Sequence, residues 1–170
     1  AYSLFINNKK LIKQHAKRLS KLGFNLVRLH HHDSPWVNPS LIRKEESTQK
    51  INDKALDSYF WWVKCMREEG ICVWVVLQVQ RPWREGEYIL GWETDLEPKA
   101  KKGMNVAKGF VYLNQRMQEL TKKFNTELLT RVNLYTKLAL KDDPAVMGVM
   151  ITNENDLTRH FGHSFLKDKN

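Results

Sequence analysis

The sequence predicts an α/β fold with parallel strands, and three observations predict it. Lysine-rich amphipathic stretches with helical spacing alternate with short apolar runs, each helical stretch closes on a Gly or an Asp-Pro turn, and the long loops come only after the apolar runs. The chain has 170 residues, 42% hydrophobic and 11% aromatic, which suffices for one buried core and excludes a disordered polymer.

The elements follow in order. From Asn8 to Leu22 the apolar residues Leu11, Ile12, Ala16, Leu19 and Leu22 recur at helical spacing, and Gly23 stops the helix. Phe24 to His30 is a short apolar run that reads as a strand, and Asp33-Ser34-Pro35 turns the chain. A second helix runs from Ile51 to Glu69, with Asn52 or Asp53 as its cap, a stripe of Leu56, Phe60, Val63, Cys65 and Met66, and Gly70 as its stop. Ile71 to Val79 is apolar almost throughout, as expected of a parallel strand covered on both faces. After a loop containing Pro82, Gly86, Gly91 and Pro98, a third helix spans about Leu113 to Val132. It leads through Asp142-Asp143-Pro144 into a strand from Ala145 to Thr152.

Polar residues gather directly after every strand. His30, His31, His32 and Asp33 follow the first, Gln78, Gln80, Arg81 and Trp83 the second, and Asn153, Glu154, Asn155 and Asp156 the third. In a (β/α)8 barrel each strand delivers its next residues to one common mouth, so this clustering predicts such a TIM barrel. A doubly wound sheet commonly carries a Gly-rich phosphate turn after an early strand, and the sequence has none. A complete barrel takes ~250 residues, so three strand-helix units represent part of one. The chain, starting without Met, is expected to be a fragment whose complement lies in the same or a separate polypeptide. Three strands alone would expose two unpaired edges and an apolar sheet face.

Net charge is +9, yet the basic residues are scattered. Lys9, Lys10, Lys13, Lys17, Arg18 and Lys21 read as the solvated side of the first helix, so no nucleic-acid partner is expected. No apolar run approaches the ~20 residues of a bilayer span, so the chain is expected to be soluble, with no membrane partner. Cys65 and Cys72 sit among apolar neighbours and are expected to be packed thiols.

Glu154 leaves the third strand beside Asn153, where a rigid strand end and partial desolvation would raise a carboxyl toward the proton-donating range and the amide could bind a substrate hydroxyl. His30 and His32 would point the same way in an extended segment. With His160 and His163 later in the chain they form the alternative reading, a metal-dependent amidohydrolase. Trp36, Trp83, Tyr88 and Trp92 lie after strands and could stack on the apolar face of a substrate, Trp36 and Trp83 being nearest the strand ends.

The runs GFNLVRLHHHDSPW, GICVWVVLQVQRPW and the stretch from Lys108 to Asn155 that ends AVMGVMITNEN resemble the cellulase-like clan of glycoside hydrolases, family 5 among them. The resemblance spans about residues 10 to 160. It implies a (β/α)8 barrel that cleaves β-glycosidic bonds with retention, and it identifies the three strands as the second, third and fourth. Glu154 matches the clan's acid/base, Asn153 the residue that contacts the sugar 2-hydroxyl, and Arg28 the arginine that orients the nucleophile.

The sequence also departs from the clan. Gln78 stands where related barrels often carry His, and the nucleophile, a Glu ending the seventh strand, has no counterpart before Asn170. The expected reaction is double displacement on an oligo- or polysaccharide, with the nucleophile outside this chain, no cofactor and no metal. His31, His32, Trp36, Gln78 and Trp83 are the expected substrate contacts. By the same resemblance the enzyme would be secreted or periplasmic. A non-catalytic carbohydrate-binding barrel is the remaining alternative, since fold alone never fixes activity.

Overall fold

The computed structural model describes residues 7–42, 48–96 and 109–155. Helix α1 spans Lys9–Lys21, strand β1 Leu26–Leu29, helix α2 Asp53–Glu68, strand β2 Cys72–Gln78, helix α3 Gln115–Thr130 and strand β3 Val146–Thr152. Each helix begins on an asparagine whose side-chain oxygen accepts from the first turn. Asn8 takes Leu11 N, Asn52 takes Lys54 N and Ala55 N, and Asn114 takes Met117 N. Gly23 and Gly70 end α1 and α2 with positive φ of 82° and 70°, the left-handed conformation that lets Phe24 N reach back to Leu19 O and Ile71 N to Met66 O.

The strands form one parallel sheet in the order β1-β2-β3, the sequential arrangement of a barrel wall. Arg28 pairs with Trp74 and Trp74 with Gly148, so these three share one face of the pleat. A Cβ on Gly148 would lie 3.1 Å from the Trp74 ring, so the glycine makes room for the indole. The opposite face, with Leu29, Val73, Val75 and Leu77, packs on Ile12 and Ala16 of α1, Phe60 and Val63 of α2, and Phe124 and Leu128 of α3. On β3 that same face carries Met147 and Ile151, 60% and 66% exposed, because no described residue covers it.

Several expectations need correction here. Leu11 and Leu22 are exposed, because the face of α1 that meets α2 is narrower than its apolar spacing suggests and buries only Ile12 and Ala16. Lys9 is not merely solvated: it pairs with Asp57 at 3.0 Å, donates to the Tyr135 hydroxyl at 2.6 Å and lies over the Trp61 and Tyr135 rings. The loop after β2 is not simply irregular. It contains short helical turns at Glu85–Glu87, Trp92–Leu96 and Phe110–Tyr112, and it folds its own apolar cluster of Trp83, Ile89, Leu96 and Val111 onto Met117 and Leu120 of α3. Cys65 is a buried thiol and Cys72 a half-buried one, both unbridged. Among the described residues no helix is long and apolar enough to cross a membrane.

Candidate active site at the strand ends

Arg28 lies in β1, and its Nη1 donates to Asn153 Oδ1 at 3.4 Å, joining the first strand to the residue after the third. Asn153 N also donates to Gln78 O at 2.9 Å, continuing the β2–β3 ladder one residue beyond β3. The next residue, Glu154, has a left-handed backbone (φ 49°) and an exposed side chain. The partial desolvation expected from sequence is therefore not supplied by the described residues. Asn155 is buried, and its Oδ1 accepts from Gly109 N. The Tyr112 and Thr152 hydroxyls lie 3.4 Å apart, so the 109–112 turn is fastened beside the strand end.

The histidines divide by environment. His31 has φ 64°, which breaks the alternation of an extended chain, so His30 and His32 do not form the same-side pair a metal reading requires. His32 is buried, with Nε2 3.2 Å from Leu77 O and its ring edge-on to Tyr59, and burial lowers its pKa. It is a core histidine, not a substrate contact. His30 Nδ1 is buried without a hydrogen-bond partner among the described residues. Burial, then the neighbouring His31, Arg28 and His32, push its pKa down to about 4 against the opposing pull of Glu154. A neutral imidazole thus lies within the electrostatic reach of Glu154, a role that the His-x-His spacing hid.

The His31 ring lies between those of His30 and Trp36, tilted 57° and 56° against them with centroids 4.1 and 4.8 Å apart, and its Nδ1 lies 2.8 Å from the Ser34 hydroxyl. Trp36 is exposed, and its indole N–H donates to Gln80 Oε1 at 3.0 Å. Gln80 is held in turn by Asp33, whose buried carboxylate accepts from Val79 N at 2.8 Å and Gln80 N at 3.2 Å. Gln80 and Asp33 could be read from sequence only as members of polar clusters; their partnership spans 47 residues.

Two further contact residues are corrected. Trp83 is 5% exposed inside the loop cluster, with the Arg81 guanidinium 4.6 Å from its ring centre. Gln78 is buried, its Oε1 accepting from the Thr121 hydroxyl at 3.4 Å. Additional chain can only bury these groups more deeply, so neither offers a sugar a surface. Among the described residues no three His, Cys, Asp or Glu side chains converge as metal ligands. Asp156, His160 and His163 lie outside the described residues.

No protein-family model matches the chain, and no curated protein sequence matches it. Solved structures do. The endo-1,4-β-mannanase of Rhizomucor miehei superposes with a TM-score of 0.62 at 21% identity, over 91% of this chain and 42% of its own. A glycoside hydrolase family 5 mannosidase variant from the same organism, in complex with mannosyl-fructose, gives 0.64 at 17% identity, over 86% and 39%. The endo-β-1,4-mannanase of Thermotoga petrophila gives 0.58 at 17%, over 90% and 33%. The chain spans less than half the length of each of these enzymes. With three parallel strands in sequential order, helices on one face and polar residues at the strand ends, the chain has the fold of part of a (β/α)8 barrel, similar to that of these glycoside hydrolase structures.

Proposed function

We propose that this chain supplies the acid/base half of a retaining β-glycoside hydrolase. The observation that carries the reading is the Arg28–Asn153 contact, which brings the arginine of one strand and the Asn-Glu pair of another to one mouth. Glu154 donates its proton to the glycosidic oxygen as the C1–O bond breaks, while a carboxylate elsewhere in the barrel forms the glycosyl ester. Glu154, now ionised, takes the proton of the water that attacks C1, which releases the sugar and restores both groups. The two carboxyls work at a separation of ~5–5.5 Å, and Arg28, at the mouth, orients the nucleophile.

Asn153 contacts the 2-hydroxyl, and Trp36, backed by His31 and Gln80, offers an exposed ring face to a pyranose. Substrate and the rest of the barrel supply the desolvation that raises Glu154 for its acid step. The similar structures are a mannosidase and mannanases, so β-1,4-mannan is the first substrate to test. A polymer of that size also favours secretion.

The test compares Glu154→Gln with the unaltered protein, completed by the rest of the barrel, on aryl glycosides with good and poor leaving groups. Hydrolysis falls by roughly 100-fold or more where the leaving group needs a proton and far less where it does not. Equal losses on both would reduce Glu154 to a structural role.

A further inference from the structure

Helix α1, KKLIKQHAKRLSK, carries six of the chain's 28 basic residues and no acidic one. Lys9 is paired with Asp57, whereas Lys10, Lys13, Lys17, Arg18 and Lys21 are exposed and make no ion pair among the described residues. At about 3.6 residues per turn, Lys10, Lys13, Lys17 and Lys21 fall within an arc of about 80°. They form one row about 16 Å long, with steps of about 4.5, 6 and 6 Å along the helix axis. The row lies on the side of α1 turned away from Ile12 and Ala16, which are buried against the sheet and α2.

Folding does not call for such a row. Each lysine stands three or four residues from the next, the spacing at which like charges repel on a helix, and Lys10 sits in the first turn, at the positive end of the helix dipole. Glutamate or glutamine would serve the helix as well. Elsewhere the chain pairs its cations at that spacing: Lys64 meets Glu68 at 2.8 Å and Arg116 meets Glu119 at 3.2 Å. Ammonium groups that repel one another along a helix point to an anion outside it.

The shape of the row narrows the partner. Lysines in single file suit one linear chain of spaced charges, whereas duplex nucleic acid carries one charge per ~1.7 Å of axis on two strands and a bilayer presents a plane. Leu11 and Leu22, exposed beside the row, stand at its two ends and do not make the continuous apolar face that a membrane-surface helix inserts. Single-stranded nucleic acid is held by basic groups interleaved with open aromatic rings. Helix α1 contains no Phe, Tyr or Trp, and Trp61, which donates to Lys9 O, already has Lys64 4.3 Å from its ring centre and Tyr135 edge-on.

We propose that the lysine row of α1 is a docking surface for a linear acidic polysaccharide, with Lys10, Lys13, Lys17 and Lys21 donating to successive carboxylates or sulfates along the polymer. The row lies on the helix-covered side of the sheet, so it holds the protein on a charged matrix and takes no part in bond cleavage. The choice of a polysaccharide among polyanions rests on the glycosidase reading, and the test separates the two. Equilibrium binding to fluorescently labelled polygalacturonate and chondroitin sulfate is measured at low and at physiological salt, on the protein completed by the rest of the barrel. The unaltered form is compared with Glu154→Gln, with a row variant (Lys10→Gln, Lys13→Gln, Lys17→Gln and Lys21→Gln together), and with a control of equal net charge (Lys54→Gln, Lys122→Gln, Lys137→Gln and Lys141→Gln together). Glutamine keeps the helix propensity and removes the repulsion, so the row variant folds.

The unaltered protein and Glu154→Gln should bind alike, and more weakly as salt rises. The row variant should lose roughly tenfold or more in affinity, while the control stays within about threefold of its parent. Equal losses in the two lysine variants would reduce the effect to net charge and overturn the surface, as would failure of both polymers to bind at low salt. Tighter binding of a thymidine oligonucleotide, or of vesicles rich in phosphatidylserine, through the same four lysines would overturn the polysaccharide as partner. Row-dependent binding in a protein whose hydrolysis of aryl glycosides is indifferent to Glu154→Gln upholds the docking surface and sinks the acid/base reading instead.

Discussion

Replacing Arg81 with Met should be among the most destabilising single changes in the chain. The guanidinium is 3% exposed. Its Nη2 donates to Thr48 O at 2.9 Å and Thr48 Oγ1 at 2.8 Å, Nε also reaches Thr48 Oγ1, Nη1 donates to Leu120 O at 3.2 Å, and Glu87 Oε1 lies 4.0 Å from Nη2. Methionine keeps most of the packing between the Trp83 and Phe124 rings, so the loss isolates the polar part. The Thr48 carbonyl loses its donor at about 1–3 kcal/mol, the Leu120 carbonyl keeps its partner within α3, and a buried carboxylate loses its cation. Because Glu87 still holds Arg84 N and the Thr48 hydroxyl, we expect about 3–5 kcal/mol, the usual cost of breaking a buried pair from one side. Burial outweighs the attraction of Glu87 and Asp33 and lowers the arginine to about 10, so the group is charged at neutral pH but incompletely compensated. Urea unfolding followed by tryptophan fluorescence measures the loss. The double variant Arg81→Met with Glu87→Gln should lose at least about 1 kcal/mol less than the sum of the singles. A single loss below about 1 kcal/mol, or strict additivity, would refute the ion-pair account.

Further outcomes follow from the same geometry. His30 and His32 have folded pKa values below their ordinary 6.5, His30 at about 4, so the unfolded chain binds protons that the folded chain refuses. Stability should be complete above pH 6.5 and fall as pH drops toward 4. The His30 share is about 3 kcal/mol at most and roughly 1–2 kcal/mol after allowing for its partial exposure. His30→Gln should flatten that acid limb, and an unchanged limb in the variant would exclude His30 as its source. Gly148→Ala should cost about 1 kcal/mol and alter the near-ultraviolet circular dichroism of Trp74, because the new methyl meets a rigid ring at 3.1–3.3 Å; a net gain in stability would contradict it. Asp33→Asn leaves one acceptor for two backbone N–H groups and should cost about 1–3 kcal/mol while releasing Gln80 from Trp36. A stability within 0.5 kcal/mol of the parent, as ~0.5 kcal/mol is usual for a surface change, would refute the latch.

The helices were legible to within about two residues because their ends are written locally. Asn52, Gly23 and Gly70 act on neighbours four residues away or fewer, and a stripe such as Leu56, Phe60 and Val63 declares its own buried face. The sheet order followed from the repetition of the same unit, and Asn153 and Glu154 were singled out because they follow a strand, Arg28 because of the family resemblance. What escaped depends on contacts distant in sequence. Trp83 reads as a loop aromatic until it joins Ile89, Leu96 and Val111 over Met117 and Leu120. His32 reads as a partner of His30 until one left-handed residue, His31, rotates the pair apart. Its carbonyl contact with Leu77 crosses 45 positions, beyond any local pattern.

The polar residues that follow the strands perform two kinds of work, and their hydrogen bonds tell them apart. Asp33 is buried, and its carboxylate is occupied by backbone N–H groups from the end of β2, so it acts as a latch between two strand ends. Asn155 is likewise buried and occupied, fastening the turn at Gly109. A carboxylate whose lone pairs are committed to backbone donors cannot turn to a substrate without breaking the fold. Glu154 differs in being exposed, and its left-handed backbone is fixed between Asn153, held by Arg28 and the β2 ladder, and the buried Asn155. The neighbours of Glu154 carry the hydrogen bonds that fasten the strand end. A strand end held in this way is what the acid/base role proposed for Glu154 requires, since the charge of such a residue must change twice in each turnover while its position does not.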